Sequence, residues 1–227
     1  MASRRTAEDL IRQGRVTVDG RPAHLGQKID PAVAMVLIDG VPLPVRPDLV
    51  YYLLYKPLGV ISTSDDDRGR TTVVDLVPDG ERIYPVGRLD ADSEGLLILT
   101  NDGDLTNQVT HPRHGVTKTY VARVTGVPDR TTLRRLVGGV ELEDGPARAE
   151  RARLLSTAGG EALVEIVMVE GRNREVRRLL ASVGHEVISL VRTAIGPLRD
   201  PDLDPGSWRH LTMVEVRDLY GATGGAT

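Results

Sequence analysis

The sequence predicts an α+β fold: a mixed, mostly antiparallel central sheet, preceded by a small N-terminal α/β module. Three observations predict it. Stretches that alternate apolar and polar side chains recur along the chain and are joined by short turns. Helical periodicities fall irregularly among them, which disfavours a parallel doubly wound sheet. Prolines at positions 42, 44 and 47 mark a stiff linker between the module and the rest. The expected layout is a module over residues 1–45, a linker over 46–50, a large domain over 51–220 and a disordered tail over 221–227.

The elements follow in order. Residues 6–13 read as a helix ended by Gly14, and residues 15–18 as a short strand closed by the turn Asp19-Gly20. Residues 35–38 form a second strand, ending at Asp39-Gly40. Beyond the linker, residues 50–55 are a strand and residues 60–63 a second, short one. The run Leu96-Leu97-Ile98-Leu99 is a buried strand, and residues 104–110 are a helix stopped by His111-Pro112. Residues 118–124 and 162–169 alternate as strands. Residues 129–137 are helical, with Leu133, Leu136 and Val137 on one side. Residues 173–183 are helical through Val176, Leu179, Leu180 and Val183, and residues 186–192 are a strand.

Composition narrows the function. The 227 residues are 40% hydrophobic and 27% charged, as for a globular protein. The absence of cysteine removes disulfides, thiolate metal sites and a cysteine nucleophile. No apolar run approaches a membrane span, and the polar start has no signal peptide, so a cytoplasmic protein without a membrane partner is expected. The net charge of −3 does not announce a nucleic-acid binder, but phosphates respond to local charge. Basic residues cluster at Arg4, Arg5, Arg12, Arg15, Arg21 and Lys28, and again at Arg172, Arg174, Arg177, Arg178 and Arg192. With no Phe, one Trp and six Tyr, a base-stacking aromatic platform is not expected.

The segment richest in chemistry is Gly87-Arg88-Leu89-Asp90-Ala91-Asp92-Ser93-Glu94-Gly95, a polar loop leading into the buried strand. A carboxylate on such a loop is held rigidly yet stays open to a ligand. The alternating acids partly imitate a calcium loop. That reading needs Glu where Asn101 stands, and a helix where the buried strand runs. A plain solvated turn is the remaining alternative.

Four motifs in order resemble the RsuA/RluB-type family of ribosomal RNA pseudouridine synthases. They are Leu54-Tyr55-Lys56-Pro57-Leu58-Gly59; Gly87-Arg88-Leu89-Asp90; Lys118-Thr119-Tyr120; and the run from Glu170-Gly171-Arg172 to Leu179-Leu180. Residues 2–20 are similar to an S4 RNA-binding domain that lacks its first helix. The resemblance implies a catalytic sheet of the family's type, no cofactor and no metal, and a monomer acting on ribosomal RNA or a ribosome assembly intermediate. It implies catalytic roles for Asp90, Tyr120 and Arg177, with Arg177 pairing with Asp90. The RNA-binding residues expected are Arg4, Arg5, Arg12, Arg15, Lys56, Arg88, Lys118, Arg172, Arg174 and Arg178. The motif variants are closer to the branch acting on 23S rRNA than to the 16S branch.

The residues bear this out physically. Arg177 lies beside the buried stripe of its helix, where only a partnered Arg sits comfortably. Arg174 and Arg178, four apart, would share another face, suited to phosphates. Isomerising uridine to its C-glycoside breaks a C–N bond and makes a C–C bond at the same sugar carbon, with no redox step. An ionised carboxylate can attack, or stabilise a developing positive charge. Tyr120 could pack on a flipped base and move a proton, or be an ordinary core ring. Two other readings compete. One is a non-catalytic S4-type RNA-binding or ribosome-assembly protein. The other is a glycoside hydrolase with Asp92 as its second carboxylate.

Overall fold

The computed structural model describes residues 4–29, 34–42, 49–77 and 82–222. It divides into two compact units, Met1–Leu49 and Val50–Thr227.

The first unit opens with helix α1 (Arg4–Arg12), which ends at Gly14 in the left-handed conformation (φ 70°). Strands β1 (Val16–Val18), β2 (Arg21–Pro22), β3 (Val36–Ile38) and β4 (Val41–Pro42) form a sheet in the order β2-β1-β3-β4. Asp19-Gly20 and Asp39-Gly40 both take positive φ, as tight two-residue hairpin turns require. Val16, Val18 and Val36 make a small core against Leu10 and Ile11 of the helix. Pro44, Pro47 and most of the expected linker lie outside the described residues, as do residues 223–227 of the expected tail.

The second unit is built on a nine-stranded sheet. In chain order its elements are β5 (Tyr51–Lys56), β6 (Tyr84–Pro85), β7 (Glu94–Thr100), α2 (Gly103–Thr110), β8 (Lys118–Thr125), α3 (Arg130–Gly138), the hairpin β9 (Val140–Leu142) and β10 (Gly145–Ala147), β11 (Arg151–Ala158), β12 (Glu161–Met168), α4 (Glu175–Ala181), β13 (Val187–Ile195), β14 (Leu198–Arg199), β15 (Trp208–His210) and α5 (Met213–Gly221). The path runs β11-β12-β8-β13-β7-β5-β15, with β6 beside β7 and β14 beside β13. Of these pairings only β13 with β7 is parallel; the others are antiparallel, as the sequence predicts.

Among the described residues, two apolar clusters pack on the sheet. Alternate residues of β8 and β12 (Ala122, Val124, Val164, Ile166) meet Leu136 of α3 and Val176, Leu179 and Leu180 of α4. Tyr52 and Leu54 of β5 and Leu97 and Leu99 of β7 meet Val73, Val77 and Ile83. Asp102 ties three segments together: it caps α2 by accepting from the backbone N–H of Asp104 and Leu105, and accepts 2.7 Å bonds from the Tyr51 and Tyr220 hydroxyls.

Several local expectations are corrected. Residues 60–63 do not form a strand; Ile61 makes a single bridge to Thr72. The helix expected over 173–183 is confined to Glu175–Ala181, because Arg174 takes the left-handed conformation (φ 48°, ψ 29°). Val137 faces solvent. β11, the β9–β10 hairpin, β14, β15 and α5 were not foreseen. Only α5 carried a clear local signal, the capping box formed by Thr212 and Glu215.

Candidate active site

Asp90 lies on the loop between β6 and β7, and that loop is held through its main chain. Six consecutive carbonyls, those of residues 88–93, each accept a hydrogen bond. Arg192 Nη1 reaches the Arg88 carbonyl at 3.4 Å, and Ser62 Oγ the Leu89 carbonyl at 2.9 Å. The Ser93 amide closes a turn onto the Asp90 carbonyl at 3.0 Å, and the Gly59 amide donates to Ala91 at 2.8 Å. Arg177 Nη2 donates to the Asp92 carbonyl, and Lys56 Nζ to the Ser93 carbonyl, both at 2.7 Å. Three of the six donors are cations, and charged donors make the stronger hydrogen bonds. The loop's geometry is therefore fixed without using the Asp90 side chain.

The sheet register explains where these cations come from. Tyr120 of β8 pairs with Arg192 of β13, Arg192 with Gly95 of β7, and Gly95 with Lys56 of β5, giving one row across four adjacent strands. Gly95 has φ 111°, and a Cβ there would lie 2.3 Å from the Arg192 carbonyl oxygen. Only glycine lets β13 approach β7 this closely. Lys56 is wholly buried, and burial pulls its ammonium down to about 8 against the opposing pull of Asp90, Asp92 and Glu94.

The Asp90 carboxylate, by contrast, is lightly engaged. Its side chain is 29% exposed, and its ion pair is with Arg174 Nη1 at 3.8 Å. It makes no side-chain hydrogen bond among the described residues. It lines a cavity of about 180 Å³ with Tyr120, Arg88, Met168, Asn173 and Leu190. Tyr120 is buried, with one edge at this cavity.

This geometry corrects the expected pairing of Arg177 with Asp90. Arg177 does not come within ion-pair distance of Asp90. It donates to the Asp92 and Val187 carbonyls and to Ser93 Oγ, and lies 3.5 Å from the Asp92 carboxylate. A left-handed turn at Arg174 brings a different guanidinium to Asp90. It takes Arg174 out of the helix and aims its guanidinium at Asp92, with bonds of 3.1 and 2.8 Å, leaving Asp90 within range of one nitrogen. The Arg174 hydrogen bonds hold the Asp92 carboxyl below its ordinary range.

The basic residues expected to meet RNA fare differently from one another. Lys56 is enclosed and cannot reach a phosphate from where it stands, a second correction. It stands at the end of β5, opposite Gly95 of β7, with its ammonium on the Ser93 carbonyl. Arg174 and Arg178 do not share a face: Arg178 pairs with Asp144 at 2.7 Å and Arg174 with Asp92. Arg172 is drawn inward by Glu175, Glu170 and Asp144 and donates to the Pro146 carbonyl. Arg88 is exposed, and Lys118 donates to the Val109 carbonyl at 2.9 Å; both border cavities. In the first unit Arg5 is exposed, Arg12 pairs with Glu8 and Asp9, and Arg15 pairs with Asp39. The side chain of Arg4 lies outside the described residues.

Two further acids line the Asp90 cavity, Glu170 and Glu175, but Arg172 pairs with both. Asp92, once offered as a second carboxylate, is held by Arg174. Among the described residues no group of His, Asp and Glu is arranged to hold a metal ion. Sequence reasoning left Arg192 and Ser62 without a role. For Arg192 the signal was present, a lone charge inside the apolar run Leu190–Ile195.

A rigid polar loop presenting a lightly engaged carboxylate to a cavity beside a buried tyrosine defines a site built for chemistry on a ligand. Residues 50–182 match the RNA pseudouridylate synthase family, and residues 1–32 match the S4 domain. The chain is similar to an uncharacterized RNA pseudouridine synthase of Mycobacterium tuberculosis, 47% identical over 99% of this chain and 90% of the relative. It is similar to ribosomal large subunit pseudouridine synthase B of Bacillus subtilis, 44% identical over 96% of this chain and 91% of the relative. A solved crystal structure of a pseudouridylate synthase superposes with a TM-score of 0.68 at 27% identity, covering 96% of this chain and 94% of that one. The chain belongs to the RNA pseudouridine synthase family, with an S4 domain at its N-terminus, and is an isomerase.

Proposed function

We propose that this enzyme converts a specific uridine of ribosomal RNA to pseudouridine, in the 23S rather than the 16S molecule, with Asp90 as the catalytic carboxylate. The observation that carries the site assignment is the contrast on the 88–93 loop: every carbonyl is tied down, while the Asp90 carboxylate is left facing the cavity. Such a group is preorganised and needs little rearrangement to act.

In this reading the uridine is flipped into the cavity, against Tyr120. Asp90 assists departure of the base from C1′, by attack or by stabilising positive charge on the sugar. The base leaves as its N1 anion and turns, C5 bonds to C1′ and displaces Asp90 if an ester has formed, and the proton lost from C5 is balanced by one gained at N1. Tyr120 is the group placed to move a proton or pack on the base. Arg177, Lys56 and Arg192 position the loop. The S4 unit supplies phosphate contacts through Arg4, Arg5, Arg12 and Arg15. Arg88, Lys118, Arg172, Arg174 and Arg178 supply others near the site, where phosphate competes with the carboxylates already paired to the last three. The protein acts as a monomer in the cytoplasm on rRNA or an assembly intermediate.

Support for the large-subunit target comes from the Bacillus subtilis relative, matched over nearly the full length of both chains. Pseudouridine mapping of 23S and 16S rRNA from cells with and without the gene tests it. The expected result is one 23S position lost on deletion and restored by the wild-type gene. Loss of a 16S position instead would overturn the target, and an unchanged map the rRNA reading.

A further inference from the structure

A second cavity adjoins the one at Asp90. Arg88, Tyr120, Glu170, Gly171 and Arg172 line both. The second encloses about 250 Å³, and Lys118 and Arg192 wall it without touching the first. Its apolar sides are Val86, Val109 and Ile195.

The charges in this second cavity are unbalanced. Arg192 is 4% exposed. Its Nε donates to the Leu96 carbonyl and its Nη1 to that of Arg88, but its Nη2 is buried with no acceptor. Lys118 uses one of its three N–H donors, on the Val109 carbonyl. Arg88 has no ion pair among the described residues. Among the described residues Glu170 is the only carboxylate in the lining, and Arg172 pairs with it at 3.4 Å. Among the described residues no acid therefore answers Lys118 or Arg192. A buried cation without a counter-charge is costly, and a cavity that sets a second, half-buried cation beside it is suited to receive an anion.

We propose that this cavity is a phosphate subsite that holds the backbone phosphodiester next to the uridine bound at Asp90. Lys118 is its donor, the Arg192 guanidinium in the wall adds positive charge, and Arg88 stands at the junction of the two cavities. The proposal rests on the Asp90 reading, because it takes the first cavity as the nucleoside site. It adds a division of labour. Arg192 holds the catalytic loop through the Arg88 carbonyl and also stands in the wall of the phosphate cavity, so seating the phosphate and ordering the loop are coupled. Arg177 and Lys56 hold the same loop but do not line this cavity.

The test is an NMR titration of the full-length, ¹⁵N-labelled protein with three probes: uridine, uridine 5′-monophosphate and uridine 3′-monophosphate. At least one monophosphate should bind about tenfold or more tightly than uridine, as for a charge-assisted contact. The Arg192 Nε–Hε resonance should shift with that nucleotide and not with uridine. Lys118→Met and Arg192→Lys should each remove most of the preference. Lys118→Met gives up one hydrogen bond at a half-buried position and keeps the fold, so it decides the matter if Arg192→Lys is destabilised. Equal affinity for all three probes, or a preference that survives Lys118→Met with the Arg192 resonance unmoved, would overturn the subsite. That failure is distinct from failure of the catalytic reading, which would show as normal turnover of rRNA by Asp90→Asn.

Discussion

Arg177 binds the main chain of Asp92, not the carboxylate of Asp90: its Nη2 donates to the Asp92 carbonyl oxygen at 2.7 Å. The cation nearest Asp90 is Arg174, at 3.8 Å. The arginine that the motif resemblance assigns to the catalytic acid thus acts on the loop that carries it.

Arg177→Ala should therefore lower stability and turnover together. Losing three hydrogen bonds from a mostly buried guanidinium should cost about 2–4 kcal/mol. Asp92→Ala keeps the carbonyl and removes only half-exposed ion pairs, so about 1 kcal/mol or less is expected. Chemical denaturation of both variants checks this. Equal losses would mean that the carboxylate contact, not the carbonyl bond, carries the role of Arg177.

Lys56 should leave a signature in the pH dependence of stability. Its folded-state value of about 8 lies below the ordinary 10.5. The folded protein therefore binds fewer protons than the unfolded chain between those limits. Stability carries the full cost of the buried charge below about pH 8 and recovers as pH rises toward 10.5. Lys56→Met removes this component, so wild type should gain relative to the variant between pH 7.5 and 9.5, by at most about 1.4 kcal/mol per pH unit. Parallel stability curves would place the titration of Lys56 elsewhere.

Gly95→Ala should separate the parallel strands. The added carbon would meet the Arg192 carbonyl, and the backbone there has φ 111°. A loss of about 3–5 kcal/mol is expected, or failure to accumulate as soluble protein. Wild-type melting behaviour would show that β7 and β13 can part at no cost.

For the S4 unit, replacing Arg4, Arg5 and Arg12 with Ala should weaken rRNA-fragment binding and flatten its salt dependence by up to about three counterions. Arg12 is already paired with Glu8 and Asp9, so its share should be the smallest of those measured singly. Unchanged affinity and salt slope would remove this face from the RNA interface.

The loop that carries Asp90 was more legible than its wiring, because it is continuous in sequence and lies between apolar runs. Alternating strands such as β8 and β12 were legible because one face of each is core. β11 was missed because it is an edge strand whose residues are largely exposed, leaving little apolar pattern. The shared face expected of Arg174 and Arg178 was misread because helical spacing was carried through Arg174, where the left-handed backbone resets the phase, and the partner of Arg177 was taken from the motif resemblance. The burial of Lys56 depends on pairing with Gly95, a non-local fact that no local pattern states.

The central claim is that Asp90 performs the chemistry while Arg177, Lys56 and Arg192 hold its loop in place. It is tested most directly by assaying Asp90→Asn for tritium release from 5-tritiated uridine in rRNA, with melting and RNA affinity measured alongside. The amide keeps the shape and removes both the charge and the nucleophilic oxygen. Melting and affinity should match wild type, because no hydrogen bond in the loop uses the Asp90 side chain, while release falls to background. Release at the wild-type rate would contradict the account.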